Sequence, residues 1–240
     1  MERDDLISER AFALLLQHRG IPFEPEDRLA DAVTVLGDKR PDFCLKVGPP
    51  PVLAEVTEFD APGPLDGLTS PFGGSIDPMF SVRRLRKKVH DEKPQLEPYG
   101  RAGHPTIIVV ANPRHYLLPM DVYHVLQLFG EIATTMPFDG QRMVMEEAAN
   151  VHTKNRVLSD HQTTYVSAVG ILRGLPATHP LLPAEPIDPT RLYLRIVHNP
   201  FAIAPLDSKL FSASTDENYV YDRDTGSWVE ASGREVGLFD

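Results

Sequence analysis

The run Ile107 to Ala111, inside the segment HPTIIVVANP, constrains the fold more than any other feature of the chain. It is continuously apolar and mostly β-branched. A half-exposed strand alternates polar and apolar residues, because successive side chains point to opposite faces. A strand without that alternation has no face to offer water and must be covered on both sides. Helices packed on the two faces of a sheet provide that cover.

The flanking segments supply the pieces. Residues 5–19, DLISERAFALLLQHR, space Leu6, Ile7, Ala11, Leu14 and Leu15 as one face of a helix, with Gly20 at the stop position. A short variable stretch follows through Pro22, Pro25 and Asp31. RPDFCLKV and VLAEVTEF, separated by the turn GPPP at 48–51, predict a hairpin of Pro41 to Val47 and Val52 to Phe59. Residues 60–78 are rich in Gly, Pro, Ser and Asp and predict a long loop. Residues 79–99 read as a helix anchored by Leu85, Val89 and Leu96, kinked or divided at Pro94. Residues 119–133 read as another helix with Pro119 near its start. Residues 165–173 and 191–198 read as strands joined by a proline-rich connector, and the chain from Asp207 onward is largely polar. The order is helix, hairpin, helix, buried strand, helix, further strands. It predicts an α/β fold with a mixed central sheet flanked by helices, in one domain. The core spans about residues 5–135, and a strand-containing extension spans about 136–240.

Composition narrows the function classes. With 42% apolar and 24% charged residues the chain has material for an ordinary core. No run of eighteen apolar residues is present, so a membrane-spanning helix is not expected. The start, MERDDLISER, is acidic where a secretory signal is basic and then apolar. Cys44 is the single cysteine, which excludes an internal disulfide and a zinc site built on several cysteines. A cytoplasmic protein is the expectation. The net charge of -10 argues against a general nucleic-acid coat. A local basic strip of Arg83, Arg84, Arg86, Lys87 and Lys88 remains, readable as a phosphate-attracting face or as an ordinary solvated one.

The chemistry is concentrated in the hairpin. Glu55 sits mid-strand among Val52, Leu53, Ala54 and Val56, where burying a carboxylate is costly unless it is paired or metal-bound. Alternation puts Glu55 and Thr57 on one face. Asp42, at the start of the adjacent strand, can approach Glu55 across the hairpin. Two carboxylates so placed repel, and a hard divalent cation removes the repulsion. On the following helix Lys88, Glu92, Gln95 and Tyr99 are spaced by four, three and four residues and share one face.

The order Pro41-Asp42, about a dozen residues, then Glu55-Val56-Thr57 resembles the signature of the PD-(D/E)xK, or restriction-endonuclease-like, nuclease superfamily. The resemblance implies a restriction-endonuclease-like sheet and metal-dependent hydrolysis of DNA or RNA. It implies Asp42 and Glu55 as ligands of Mg2+ or Mn2+, assisted by the backbone carbonyl of Val56. A lysine that orients the attacking water normally stands two residues after the Glu, and here that position is Thr57. Gln95-Leu96-Glu97-Pro98-Tyr99 is similar to the QhxxY motif of the RecB-like branch, whose Gln and Tyr lie near the metal and help bind DNA. Lysine migration onto this helix is known in the superfamily, which points first to Lys88 and then to Lys93. Glu9 matches a first-helix Glu that often reaches the metal in this family, although a solvated Glu there is the more ordinary reading. Arg84 is the candidate phosphate contact from the basic strip. The resemblance spans residues 5 to about 115.

Other readings stand beside it. With Thr57 in place of lysine, the fold can serve as a catalytically inactive binding or assembly module. If Asp42 and Glu55 lie apart, they are ordinary surface acids of an unrelated α/β protein. His198-Asn199-Pro200 reads as a turn, and Asp160, His152 and His161 fit no common metal spacing. Nucleic acid is the expected partner and a membrane is not. A homodimer is left open.

Overall fold

The structure, a computed structural model, describes residues 7–37, 39–58, 78–111, 122–129, 131–133, 149–151, 157–176 and 186–231. In chain order the elements are α1 (Ile7–His18), β1 (Phe23–Pro25), β2 (Phe43–Leu45), β3 (Val52–Glu58), α2 (Pro78–Arg101), β4 (Thr106–Ala111), α3 (Val122–Leu126), β5 (Glu131–Ala133), β6 (Ala149–Val151), β7 (Ala168–Arg173), β8 (Tyr193–His198), β9 (Glu217–Asp222) and β10 (Ser227–Glu230). Eight strands form one mixed sheet in the order β1-β2-β3-β4-β7-β8-β9-β10, and β5 pairs with β6 separately. Strands β1, β2 and β3 run antiparallel, β3, β4 and β7 run parallel, and β8 turns back against β7.

Strand β4 lies inside the sheet, as its composition requires, and all six of its residues are buried. Ile108 and Val110 pack with Leu53, Leu85, Val89, Leu96 and Val125 on the face covered by α2 and α3. Ile107, Val109 and Ala111 pack with Ala54, Val56, Ala11, Phe12 and Leu15 on the face covered by α1. Each fully buried aliphatic side chain contributes on the order of 1.5–3 kcal/mol relative to exposure. The same sheet continues from β4 into β7 and β8, so the C-terminal strands extend the core.

Helix α1 ends as its sequence predicts. Gly20 takes a φ of +64°, a left-handed conformation that glycine adopts without strain, and Ile21 N donates to Leu16 O at 2.9 Å while Gly20 N donates to Gln17 O at 3.0 Å. The helix is clamped to the far end of the sheet by Arg19, whose Nη2 donates to Asp216 Oδ1 at 2.7 Å and whose Nη1 also pairs with Asp216. The fully buried Asp216 side chain accepts from Leu194 N at 2.8 Å as well.

Several expectations from the sequence differ. The variable stretch after Gly20 holds strand β1, paired with β2, and a 3-10 helix at Glu26–Asp31. Pro94 does not divide α2, which runs continuously through Pro94 and Pro98. Pro94 and His90, whose carbonyl loses its helical partner, are both exposed, so water reaches the carbonyl. The helix expected over 119–133 is confined to Val122–Leu126 among the described residues, and Glu131–Ala133 is strand. The polar stretch after Asp207 folds into the β9–β10 hairpin, with aromatic contacts from Tyr221 to Trp228 and from Trp228 to Phe129. Phe59, the loop expected over 60–78 (apart from Pro78, which opens α2), Pro119 and His152 lie outside the described residues. No described helix is long and apolar enough to cross a membrane.

Helix α2 seats closely on the segment before β7. A Cβ at Gly100 would stand 2.1 Å from Tyr165 O, in a position no side-chain movement relieves. Gly100→Ala is therefore expected to lower stability by at least about 2 kcal/mol, although alanine favours helices, because overpacking outweighs propensity here. Urea unfolding checks this. An unchanged or raised midpoint contradicts the packing described.

Candidate functional site

The hairpin register pairs Phe43 with Ala54. Continuing it by one residue sets Asp42, just before β2, opposite Glu55 in the middle of β3. Asp42 is fixed there by its Oδ2, which accepts from the backbone N–H of Val56 at 2.7 Å. Both acids are buried, with 8% of Asp42 and 4% of Glu55 exposed. This removes the reading in which they are surface acids of an ordinary sheet.

Leu53, Glu55 and Thr57 share the face of β3 that meets α2, as strand alternation predicts. The helix answers with a matching row. Gln95 Nε2 donates to Glu55 Oε1 at 2.6 Å and to Glu92 Oε2 at 3.1 Å, and Thr57 Oγ1 donates to Glu92 Oε1 at 3.0 Å. Gln95 thus bridges two carboxylates with its two amide hydrogens. The second oxygen of Glu55, Oε2, is buried without a hydrogen-bond partner.

Burial pushes the Glu55 carboxyl up to about 10, with the charges of Asp42, Glu92 and Glu26 acting in the same direction and a hydrogen bond from the Asp42 backbone acting against them. A buried carboxylate among three other acids is not stable as a bare anion, so a proton or a cation must neutralise it. Glu26, on the 3-10 helix, is a contributor that the sequence reading did not single out. The only cue was the acidic stretch EPED, which looks like any solvated turn.

The remaining candidates separate. Lys88 is half-buried on the same flank of α2, one turn before Glu92. Lys93 lies on the other flank, where its Nζ donates to Thr163 Oγ1 at 3.4 Å. Thr163 is itself unusual: it is buried, β-branched and at a φ of +61°, a conformation that costs about 1–3 kcal/mol. Tyr99 is fully buried, and its hydroxyl accepts from Leu36 N at 3.2 Å, so it holds the stretch after the 3-10 helix to α2. Glu9 is half-buried on α1, which packs against the opposite face of the sheet, and its neighbour Ser8 donates from its backbone N to Glu58 Oε1 at 3.2 Å. The side chain of Arg84 lies outside the described ones, while Arg86 donates to Gln127 O at 3.1 Å and ties α2 to the end of α3. His198 and Asn199 are structural. His198 Nε2 is 3.0 Å from Asn218 Oδ1, and Asn199 Oδ1 accepts from Phe201 N at 3.0 Å to form the expected turn.

Among the described residues no group of three or more His, Cys, Asp and Glu side chains has metal-binding spacing. The Asp42–Glu55 pair is a smaller set, of the kind suited to a hard cation that keeps several of its waters. The partnerless buried Oε2 of Glu55 fits such a cation. No protein-family model, no curated protein and no solved structure matches the chain.

The Glu55 environment makes a stability prediction. A folded carboxyl that keeps its proton up to about pH 10, against 4.5 ordinarily, contributes fully below pH 4.5 and loses that contribution as pH rises toward 10. The limiting slope is about 1.4 kcal/mol per pH unit. Glu55→Gln removes the titration, so it is expected to be more stable than the native chain at pH 8 by about 1–3 kcal/mol. The difference should shrink toward pH 5. Chemical denaturation across this range, without divalent cations, measures it. A glutamine variant less stable at pH 8 than at pH 5, relative to the native chain, contradicts the assignment.

Proposed function

We propose that the chain is a metal-dependent nuclease of the PD-(D/E)xK type, hydrolysing phosphodiester bonds in DNA or RNA. The observation that carries this reading is the buried, partnerless Glu55 Oε2 opposite Asp42. Order along the chain supports it: a helix, a hairpin bearing Asp42 and Glu55, a helix bearing Gln95, then a buried strand. Asp42 and Glu55, with the Val56 carbonyl, would hold Mg2+ or Mn2+. Such an ion polarises a phosphate and lowers the pKa of a bound water.

The protein groups have separable roles on this reading. The Val56 N–H orients Asp42, and Gln95 fixes the Glu55 carboxyl by its 2.6 Å hydrogen bond. Packing of Leu53 and Ile108 beneath α2 keeps water from the buried side of the pair, which strengthens electrostatic interactions there. Lys88, one turn before Glu92 on α2, would be the candidate positive charge for a phosphate or for the attacking water. Asp42→Asn and Glu55→Gln are each expected to reduce Mn2+-dependent cleavage of single-stranded DNA, double-stranded DNA or RNA by at least about a hundredfold. Circular dichroism should show the fold retained. Native rates in both variants overturn the nuclease reading.

A second reading is favoured by one observation. Thr57, at the place of the usual lysine, is engaged with Glu92 and brings no positive charge to the site. On that reading the chain is a catalytically inactive module for binding or assembly. It predicts no turnover by the native chain with any metal or nucleic acid. Thr57→Lys then separates an intact site lacking one charge, which gains cleavage, from a site that has lost its chemistry, which does not.

A further inference from the structure

Glu92 belongs to no part of the motif that suggested the function, yet it occupies the centre of the polar network. Its Oε1 accepts from the Thr57 hydroxyl at 3.0 Å and its Oε2 from Gln95 Nε2 at 3.1 Å. The same Gln95 nitrogen reaches Glu55 Oε1 at 2.6 Å. Two oxygens sharing one donor nitrogen cannot lie more than about 6 Å apart. A half-buried carboxylate is thus held, at both of its oxygens, beside a carboxylate whose other oxygen has no partner. Two ionised carboxylates so close would be unfavourable, and neither Thr57 nor Gln95 brings a positive charge, so a cation is what would let both be ionised together.

We propose that Glu92 is the third charge of the cation site, acting at the distance set by Gln95 and without direct ligation. This rests on the reading of Asp42 and Glu55 as metal ligands and deepens it. A cation that keeps several waters responds to carboxylates beyond its first ligands, through the field and through hydrogen bonds from those waters. Threonine at position 57 suits the arrangement. Its hydroxyl anchors Glu92 and leaves the carboxylate charge intact, whereas a lysine amine there would neutralise it. The site thereby gains negative charge from the helix in exchange for the positive charge missing from the strand. The chemical class of the ligand follows: a small, hard divalent cation, with affinity set by Glu92 as well as by Asp42 and Glu55.

Two substitutions distinguish charge from scaffolding. Glu92→Gln keeps the shape and an oxygen to accept from Thr57, but removes the charge. Glu92→Asp keeps the charge and shortens the reach. On the proposal, calorimetric Mn2+ affinity falls about tenfold or more in Glu92→Gln and stays within about threefold of native in Glu92→Asp. If Glu92 were only a structural hydrogen-bond partner, the order would reverse. Thermal melts of the two variants show whether each is folded, and Mn2+ electron paramagnetic resonance gives the bound fraction independently. Native affinity in Glu92→Gln, with binding lost in Glu55→Gln, overturns the role of Glu92 and leaves the two-acid site standing. Absence of Mn2+ binding by the native chain overturns both.

Discussion

The candidate site rests on burying one carboxyl group, that of Glu55, in the middle of a strand whose two faces are covered by helices. Glu55 sits between Ala54 and Val56 and beside Ile108 of the neighbouring parallel strand. Its position on the α2 face is forced by strand alternation, since a shift of one residue would turn Leu53 and Thr57 away from the helix as well. The cost of desolvating that group exceeds what a single neutral hydrogen bond returns. The fold meets part of the cost with Gln95 and leaves Oε2 without a protein partner. Natural chains tolerate such a debt mostly where function requires it.

Neighbouring elements hold that group in place. Strand β2 delivers Asp42 to its register, and the Val56 N–H holds it there. Helix α2 lies close enough for its Gln95 and Glu92 to reach β3, because Gly100 lets the helix seat against Tyr165. Tyr99 ties Leu36, in the stretch after the 3-10 helix, to the same helix. On the other face α1 packs through Ala11, Phe12 and Leu15 and is clamped by the buried Arg19–Asp216 pair. Breaking such a pair from one side leaves an uncompensated buried charge, which is why it serves as a strong clasp once formed.

Much of this was legible in the residues. The hairpin, the shared face of Glu55 and Thr57, and the helical row of Glu92 and Gln95 are consequences of the periods 2 and 3.6, which sequence spacing carries directly. Strand β1 and the 3-10 helix were not legible, because three residues with a proline have no periodicity to detect and depend on pairing with β2. The β9–β10 hairpin was hidden for a similar reason: its side chains alternate poorly, and its stability comes from the parallel contact of β9 with β8 and from the Trp228 cluster. Of the two outcomes expected at Pro94, a kink or a division, the helix is not divided, because a lost hydrogen bond is cheap where water can replace it. Tyr99 illustrates a different limit. Spacing placed it on one face with Glu92 and Gln95, but only the packed structure shows that its hydroxyl is taken by Leu36 N.

On the proposed function, Glu55 would exchange a proton for a cation. Calorimetric titration of Mn2+ into the native chain at pH 7, repeated in two buffers of different ionisation enthalpy, measures that exchange directly. A carboxyl held protonated to about pH 10 must give up its proton when it becomes a ligand, so close to one proton is expected to leave for each cation bound. Binding with no proton release would show that the cation sits elsewhere or that Glu55 is already ionised, and either result contradicts the central claim.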